Sequence, residues 1–301
     1  MHIYDFLMDS NPVIQRLTKI QLFNEQVDYI DEGWIKDIRL KFDWQTHTWG
    51  KEDGPVSVTN GIYDPWWTST FYTLLDLITF NANPSMEEAK LGLKQVLHFM
   101  WNPETDMEND VCVIAMMLRV VLYFDPSHPA TFELLNMLLN EQKEDGGWNC
   151  EHSSQKGSFH TTLSVLEAYR DFSCVYPTIQ QETLLKQIKL GELYLTSRKL
   201  LYRQGTQQLV FSGIDVIHFP VRWRYDYVRA LDYFASVHAQ PSQIFDDAIQ
   251  RLKLQFKDSQ IHTNKTYPGQ THINMNDQDV FRFNTFRAIL ILSWFEGKSA
   301  S

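Results

Sequence analysis

Five segments of the chain repeat one design, in which a polar or aromatic start leads into apolar residues at helical spacing and the segment closes on a phenylalanine. The five are WWTSTFYTLLDLITF (ending at Phe80), NDVCVIAMMLRVVLYF (Phe124), SFHTTLSVLEAYRDF (Phe172), RWRYDYVRALDYF (Phe234) and FNTFRAILILSWF (Phe295). Such dense apolar content predicts helices that are buried on nearly every side. Their ends lie 44 to 62 residues apart, which is too irregular for a thin solenoid and suits helix pairs joined by variable loops.

Between these segments lie more polar helices, with apolar residues three or four apart and charges on the other face. They are SMEEAKLGLKQVLHFMW, PATFELLNMLLNEQ, QETLLKQIKLGELYL and SQIFDDAIQRLKLQF. Ser85 and Glu88 have the spacing of a capping box at the start of the first of them. Alternation of apolar inner and amphipathic outer helices predicts an all-α, two-layer α/α toroid, in which the inner helix starts converge on a central cavity.

Strand signals are weak, and the segment LLYRQGTQQLVFSG predicts at most a short strand pair. Residues 1–60 contain two further helical segments, DSNPVIQRLTKIQLF and DYIDEGWIKDIRLKF, which we expect to pack on the ring or to complete it. Residues 61–301 form the toroid itself. Because no linker is long enough to divide the chain, we expect a single domain.

Composition excludes several classes of function. With 27 basic and 37 acidic residues, the net charge of -10 repels a phosphate backbone, and no basic stripe offsets it, so no nucleic acid is expected. The start lacks the pattern of a signal peptide, and no run of about 20 apolar residues predicts a transmembrane helix. We therefore expect a cytoplasmic protein. Its three cysteines, Cys112, Cys150 and Cys174, favour free or metal-bound thiols over a disulfide framework.

The stretch LLNEQKEDGGWNC contains Gln142, Gly146, Gly147 and Trp148. The glycines permit a sharp turn after an outer helix, and Gln142 can bond backbone groups left free at helix ends. This stretch resembles the Gln-Trp motif of squalene/hopene cyclases, members of the terpenoid cyclase and protein prenyltransferase superfamily. With the later helix starts, the resemblance spans roughly residues 60–296 and is nearest to short bacterial proteins described as prenyltransferase-like or squalene cyclase-like. It implies an (α/α)6 toroid, although a fold does not fix a function.

The resemblance to protein prenyltransferases implies a zinc ion held by an Asp-x-Cys pair at one inner helix start and a histidine at the next. Asp110, Cys112 and His160 occupy those positions. Carboxylate, thiolate and imidazole are donors that zinc accepts, and three protein ligands with an open fourth position are typical of a catalytic site that activates water or a substrate thiol.

Three simpler interpretations stay open for these residues. Asp110 can cap a helix, Cys112 can be a small core residue, and His160 can be a hydrogen-bonded interior histidine. A rival metal set exchanges His160 for one of three residues from the preceding loop, namely Cys150, His152 or Asp145.

The cyclase branch implies an Asp-x-Asp-Asp acid, which this sequence lacks, as it lacks the Asp-Asp-x-x-Asp pattern that ionises diphosphates. Asp226, in WRYDY, is the candidate for a lone catalytic acid, with pairing to Arg222 or Arg229 as the alternative. The run NPETDMEN before Cys112 is acidic, where the prenyltransferase pattern places diphosphate-binding cations. Arginines at other inner helix starts are possible substitutes, namely Arg222, Arg224 and Arg282.

The resulting hypothesis is an isoprenoid-handling enzyme whose apolar chain substrate lies in an aromatic cavity that stabilises a cation. The candidate lining is Trp66, Trp67, Phe159, Trp223, Tyr225, Arg222 and Phe283. The main alternative is a non-catalytic toroid that binds an apolar ligand or a protein partner. A carbohydrate-active hydrolase or lyase is weaker, because paired carboxylates facing a groove are not evident. The sequence does not indicate whether a partner subunit is needed.

Overall fold

The structure is a computed structural model that describes residues 3–101, 109–179, 181–257, 260–261, 264–266, 269–273 and 277–297. Helices account for 53% of the chain and strands for 6%, which confirms the helical class. The described helices are α1 (Ile3–Met8), α2 (Pro12–Gln21), α3 (Gly33–Arg39), α4 (Thr70–Thr79), α5 (Glu87–Met100), α6 (Val111–Phe124), α7 (Ala130–Leu139), α8 (Phe159–Val175), α9 (Gln181–Thr196), α10 (Tyr227–Ser236), α11 (Asp246–Gln255) and α12 (Asp277–Glu296). The strands are β1 (Ile217–Phe219), β2 (Phe256–Lys257), β3 (Gln260–Ile261) and β4 (Asn264–Thr266).

Consecutive helices pack in pairs, α4 with α5, α6 with α7, α8 with α9 and α10 with α11. The first helices of these pairs also contact one another in order, α4 with α6, α6 with α8 and α8 with α10, and α10 contacts α12. The buried residues of α6 cover almost its whole surface, whereas α5 alternates buried residues with exposed charges. The predicted alternation of apolar and amphipathic helices is therefore present.

The N-terminal segment shares its core with the later helices. α2 contacts α3 and α12, and α1 also contacts α12. The Trp34 ring, which is fully buried, lies 5.1 Å from the rings of Phe80 and Phe219 and 6.2 Å from that of Phe283. Burial of so large a ring among three distant segments ties the first 40 residues to the rest of the core.

Trp148 joins three helices, two of them through hydrogen bonds and the third through close packing. Its indole N–H donates to the carbonyl of Leu138 at the end of α7 (3.0 Å), and its backbone N–H donates to the Thr162 hydroxyl in α8 (2.9 Å). On α9, a Cβ placed on Gly191 would come within 2.8 Å of the indole. Gln142 donates to the carbonyls of Gly146 in the following turn and of Gln187 inside α9, at 2.9 Å each. It therefore bonds backbone groups as predicted, although these are not at helix ends.

Trp49 repeats this arrangement in the N-terminal part of the chain. Its indole N–H donates to the carbonyl of Ile38 (2.9 Å), and its backbone N–H donates to the Thr70 hydroxyl at the start of α4 (2.9 Å). A Cβ on Gly92 in α5 would lie 2.7 Å from its ring. The sequence does not predict this second joint, because Trp49 lacks the preceding Gln and Gly-Gly.

Two local predictions differ from the structure. The capping box at Ser85 is wrong: α5 begins at Glu87, the Ser85 backbone N–H donates to the Asn83 side chain (2.9 Å), and Glu88 accepts hydrogen bonds from Arg39 instead. The predicted strand pair is reduced to one isolated bridge between Tyr202 and Leu209. β1 pairs with β4 in parallel and β2 with β3 in antiparallel, both outside that segment.

None of the helices in the described ranges is both long enough and apolar enough to cross a membrane.

Candidate ligand cavity and thiol cluster

Six helices, α2, α4, α6, α8, α10 and α12, line one cavity of about 730 Å³. The lining includes Thr79 and Ser236, the last residues of α4 and α10. The cavity therefore reaches the ends of these helices, whereas the sequence predicted a cavity at their starts. The starts are filled by aromatic packing, for example Trp67 on Tyr72 (ring centroids 5.0 Å apart) and Tyr63 on Tyr72 (5.4 Å).

The cavity has two unlike walls. The apolar wall comes mainly from α12, with contributions from α2 and the segment before α10. It consists of Leu17, Val221, Phe283, Phe286, Leu290 and Trp294. The charged wall comes from α6, α8, α10 and α12. It consists of Arg119, Glu167, Arg170, Arg229, Asp232 and Arg287. A pocket with a broad apolar surface and a few fixed polar groups is the usual form of a small-molecule site.

Ion pairs hold the charged wall in place. Glu167 accepts hydrogen bonds from Arg119 (2.7 Å) and from two nitrogens of Arg229 (2.9 and 2.7 Å). Burial by itself raises the pKa of Glu167, but the charges of Arg229 and Arg119 outweigh it and lower the pKa to about 2. Glu167 is consequently ionised at neutral pH.

The pKa of Asp232 is shifted in the opposite direction to that of Glu167. Burial raises the pKa of Asp232 to about 6, although Arg287, whose Nε lies 2.6 Å away, opposes the rise. The side chain keeps 30% of its surface exposed, so solvent reduces the rise. Neither acid was identified from the sequence, because both sit inside helices that read as packing surface.

The predicted aromatic lining divides among separate places. Phe283 lines the large cavity. Trp66 is 49% exposed. Trp67 lies under the Arg222 guanidinium (4.7 Å to the ring centroid), and Arg222 is itself buried and bonded to Asp76 at 3.0 and 2.5 Å. Phe159, Trp223 and Tyr225 gather around His160 instead.

Asp110, Cys112 and Cys150 form a compact cluster in which one ligand atom of each residue lies within 4.8 Å of the others. Asp110 occupies the N-cap position of α6, yet its side chain makes no capping hydrogen bond, so the capping interpretation is wrong. The Cys150 sulfur lies 3.1 Å from the Thr161 hydroxyl at the start of α8. The cluster therefore joins the starts of two neighbouring helices, α6 and α8.

The two thiols of this cluster shift each other's pKa in opposite directions. The hydrogen bond with Cys112 lowers the pKa of Cys150 to about 7, against the effect of burial. That same hydrogen bond, together with burial, raises the pKa of Cys112 well above its usual value. Cys150 is accordingly the first of the pair to become a thiolate, which is the form that binds metal. A carboxylate and two thiols match the donor types that zinc takes in proteins.

His160 is not part of this cluster, which corrects the predicted set of Asp110, Cys112 and His160. Its Nδ1 accepts a hydrogen bond from the Tyr225 backbone N–H (2.7 Å), and its ring centroid lies 5.4 Å from that of Phe211 and 5.5 Å from that of Trp223. These contacts turn the ring toward the start of α10. Burial, with the charges of Arg229 and Arg224, lowers the pKa of His160 to about 4.

Of the rival metal set, the structure brings only Cys150 to Asp110 and Cys112. His152 lies 2.9 Å from Glu141. Asp145 accepts hydrogen bonds from the backbone N–H groups of Gly147 and Gly157. Both side chains are thus used to hold the loop between α7 and α8.

Asp226 caps α10 and does not stand as a lone acid. Its Oδ1 accepts from the Arg229 backbone N–H (2.8 Å), and its Oδ2 lies 3.2 Å from the backbone nitrogen of His218 and 3.4 Å from Nδ1 of that residue. Burial tends to raise the pKa of Asp226, but the His218 hydrogen bond and the charge of Arg287 lower it. An ionised, capped carboxylate does not fit the predicted proton donor.

Comparison with models of known protein families and with curated protein sequences gives no match for this chain. The class that the structure defines is a mostly α-helical protein with one large cavity between six helices and a carboxylate–dithiol cluster at two helix starts. The cavity and the cluster are therefore the two features that bear on its function.

Proposed function

We propose that this chain is an α/α toroid of the terpenoid cyclase and protein prenyltransferase type that binds an apolar, isoprenoid-like chain in its central cavity. The observation that carries the proposal is the cavity of about 730 Å³ to which six helices contribute. Five of these are the apolar segments recognised in the sequence, and the sixth, α2, comes from the N-terminal segment. Six helices around one hollow are what an (α/α)6 ring requires.

Size and surface both favour an apolar ligand. The volume falls within the range of about 300–1,000 Å³ that is usual for small-molecule pockets. Phe283, Phe286, Leu290 and Trp294 lie on one face of α12 and supply a continuous apolar surface. Burial of hydrocarbon against such a surface gives roughly 25 cal/mol per Å² of ligand area removed from water.

The charged wall favours a ligand with one polar or anionic end. Four arginines and two acids line it, Arg119, Arg170, Arg229 and Arg287 against Glu167 and Asp232. Three of these cations pair with Glu167 or Asp232, and Arg170 pairs with Asp171, which lies next to it in the chain and outside the lining. The residues that face the cavity therefore carry more positive than negative charges. Guanidinium groups held in place by such pairs are well suited to bind an oxyanion at the end of a chain.

The carbohydrate-active alternative is less well supported. A glycosidase needs one carboxyl group that holds a proton beside one that does not. In the cavity the pKa of Asp232 is raised and that of Glu167 is lowered, as such a pair requires. However, Glu167 is bonded to two arginines and Asp232 to Arg287. Both acids are engaged with guanidinium groups, and this arrangement supports a role in shaping the wall.

Binding of farnesol, a fifteen-carbon isoprenoid alcohol, tests the proposal. Leu290→Trp fills the cavity from α12, whereas Leu254→Trp makes the same change at a residue of α11 that is 75% exposed. In a fluorescence titration we expect saturable binding to the native chain and to Leu254→Trp, and at least a tenfold loss in Leu290→Trp. Equal binding by both variants, or none by the native chain, contradicts the proposal.

A second candidate function is zinc binding by Asp110, Cys112 and Cys150. The close approach of these three donors favours it. A zinc ion with an open position supplies a Lewis acid that activates water or a substrate thiol. In this chain Thr161 would steady the Cys150 sulfur through the contact already described.

Metal analysis of the purified chain separates this set from the one predicted with His160. We expect one equivalent of zinc, lost on Cys112→Ala or Cys150→Ala and retained on His160→Gln. If Cys150→Ala retains the zinc and His160→Gln loses it, the ligands are instead Asp110, Cys112 and His160, as predicted from the sequence. No zinc in the native chain after reconstitution removes this candidate and leaves the binding proposal standing.

A further inference from the structure

A groove lies at the starts of α8 and α10 and shares no lining residue with the central cavity. Two adjoining pockets of about 250 and 480 Å³ form it, and both include His160 and Phe211. The smaller pocket adds His218, Trp223 and Arg224. Because His160 and Phe211 line both pockets, the two pockets can accommodate two parts of one molecule.

Positive charge is concentrated in this groove, although the chain as a whole carries a net charge of -10. Four cations line it, Lys156, Arg198, Arg203 and Arg224, against one carboxylate, Asp145. Asp145 lies 3.8 Å from Arg198. Among the residues that the structure describes, no carboxylate oxygen lies within 4.0 Å of Lys156, Arg203 or Arg224. Three cations facing one groove without an acidic partner favour an anionic ligand.

The contacts of His160 leave its Nε2 as the ring's hydrogen-bond donor. Its Nδ1 is the acceptor for the Tyr225 backbone N–H (2.7 Å). In the neutral ring the proton must then be on Nε2, since one ring nitrogen donates while the other accepts. The backbone of the α10 start thus fixes the tautomer of a histidine that lines both pockets.

Aromatic rings flank the cations. The His160 ring is stacked on Phe211 with an interplanar angle of 19°, and the Trp223 ring lies 5.5 Å from that of His160. The Arg224 guanidinium lies 5.3 Å from the Trp223 ring. Phe159 and Tyr194 continue this apolar surface into the larger pocket. A flat ring beside an oxyanion matches these neighbours.

We propose that this groove is a second binding site, separate from the central cavity, for a small molecule that joins an oxyanion to a flat ring. Arg224 and the Nε2–H of His160 bind the oxyanion, and Phe211 and Trp223 contact the ring. Phosphate and carboxylate share the chemistry that these donors recognise. The site does not depend on an apolar chain in the central cavity.

Calorimetric titration of the full chain with phenyl phosphate and with benzoate, at constant ionic strength, tests the proposal. We expect saturable binding of at least one of them and about a tenfold weaker affinity in Arg224→Gln. Lys94→Gln makes the same change in net charge on an exposed residue of α5 and should bind as the native chain does. Preference for one ligand identifies the oxyanion as phosphate or carboxylate.

Two further variants keep the test decisive. If Arg224→Gln does not fold, Arg203→Gln, on the exposed rim, should also weaken binding while leaving the melting temperature unchanged. Leu290→Trp, which fills the central cavity, should leave phenyl phosphate binding intact, so failure of this site is distinguishable from failure of the cavity proposal. Absence of saturable binding to both ligands, or equal affinities in Arg224→Gln and Lys94→Gln, overturns the inference.

Discussion

Trp49 and Trp148 make the same two hydrogen bonds, from the indole to the end of the preceding helix and from the backbone to a threonine hydroxyl of the next one. Each ring also lies against a glycine of the helix that follows, Gly92 or Gly191. The chain therefore contains a structural repeat that its sequence disguises. Both joints fix the position of an inner helix, α4 or α8, that lines the cavity.

Replacing either glycine should destabilise the fold. In Gly191→Ala the added carbon would lie 2.8 Å from the Trp148 ring and 3.0 Å from Leu166, so we expect a loss of about 1–3 kcal/mol from overpacking, despite the better helix propensity of alanine. Gly213→Ala meets no atom within 4 Å and should change stability by less than about 0.5 kcal/mol. Urea unfolding measures the stability of both variants. If Gly191→Ala is as stable as Gly213→Ala, the Trp148 ring does not pack closely against Gly191.

The threonine hydroxyls are needed for the same joints. Thr162→Val keeps the size of the side chain but leaves the buried Trp148 backbone N–H without its acceptor, and we expect a cost of about 1–3 kcal/mol in the free energy of unfolding. The control is Thr59→Val, at an exposed turn. If the two valine variants unfold at the same urea concentration, the hydrogen bond does not contribute to stability.

The helices could be predicted more completely than their connections. The apolar segments ending at Phe124 and Phe172 correspond to α6 and α8, because period alone identifies a helix that is buried all round. The Trp49 joint was missed, since its bonds run to Ile38 and Thr70 and depend on how distant helices pack. The capping box at Ser85 failed for a related reason: Glu88 pairs with Arg39, a tertiary partner that a local motif cannot reveal.

Glu167 should make the stability depend on pH in the acid range. Its pKa is lowered in the folded state, from about 4.5 to about 2, so its stabilising contribution is complete above pH about 5 and is lost as the pH falls through 4.5 toward 2. In urea unfolding, the difference between the native chain and Glu167→Gln should shrink by on the order of 3 kcal/mol over that range. The exposed Glu182→Gln serves as control. If the free energy of unfolding depends on pH in the same way in the native chain and in Glu167→Gln, Glu167 is not stabilised by Arg119 and Arg229.

Cys150 should react as a thiolate near neutral pH. In metal-free protein with Cys174→Ser, we expect the alkylation rate to rise with a midpoint near the pKa of about 7. Cys112→Ala removes the hydrogen bond that lowers this pKa and should move the midpoint to higher pH. Mass spectrometry of the Cys150 peptide measures the rate, and an unchanged midpoint in Cys112→Ala would show that Cys112 does not lower the pKa of Cys150.

The candidate site could be predicted only in part. Asp110 and Cys112 were found because they sit two positions apart at a helix start, and the structure places them together. Cys150 stood in the rival set, but its approach depends on the loop between α7 and α8. The cavity is lined by Glu167 and Arg229, which read in the sequence as ordinary helix charges, and only the packing of α8 and α10 brings them together.

The central claim is that the cavity between the six helices holds an apolar chain. Photolabelling with a diazirine derivative of farnesol, followed by peptide mapping, tests it most directly. The account predicts labels on α2 and α12, at or beside Leu17, Phe283 and Leu290, which unlabelled farnesol competes away. Labels confined to exposed leucines of α9, such as Leu185 and Leu193, or labels that farnesol does not displace, would contradict it.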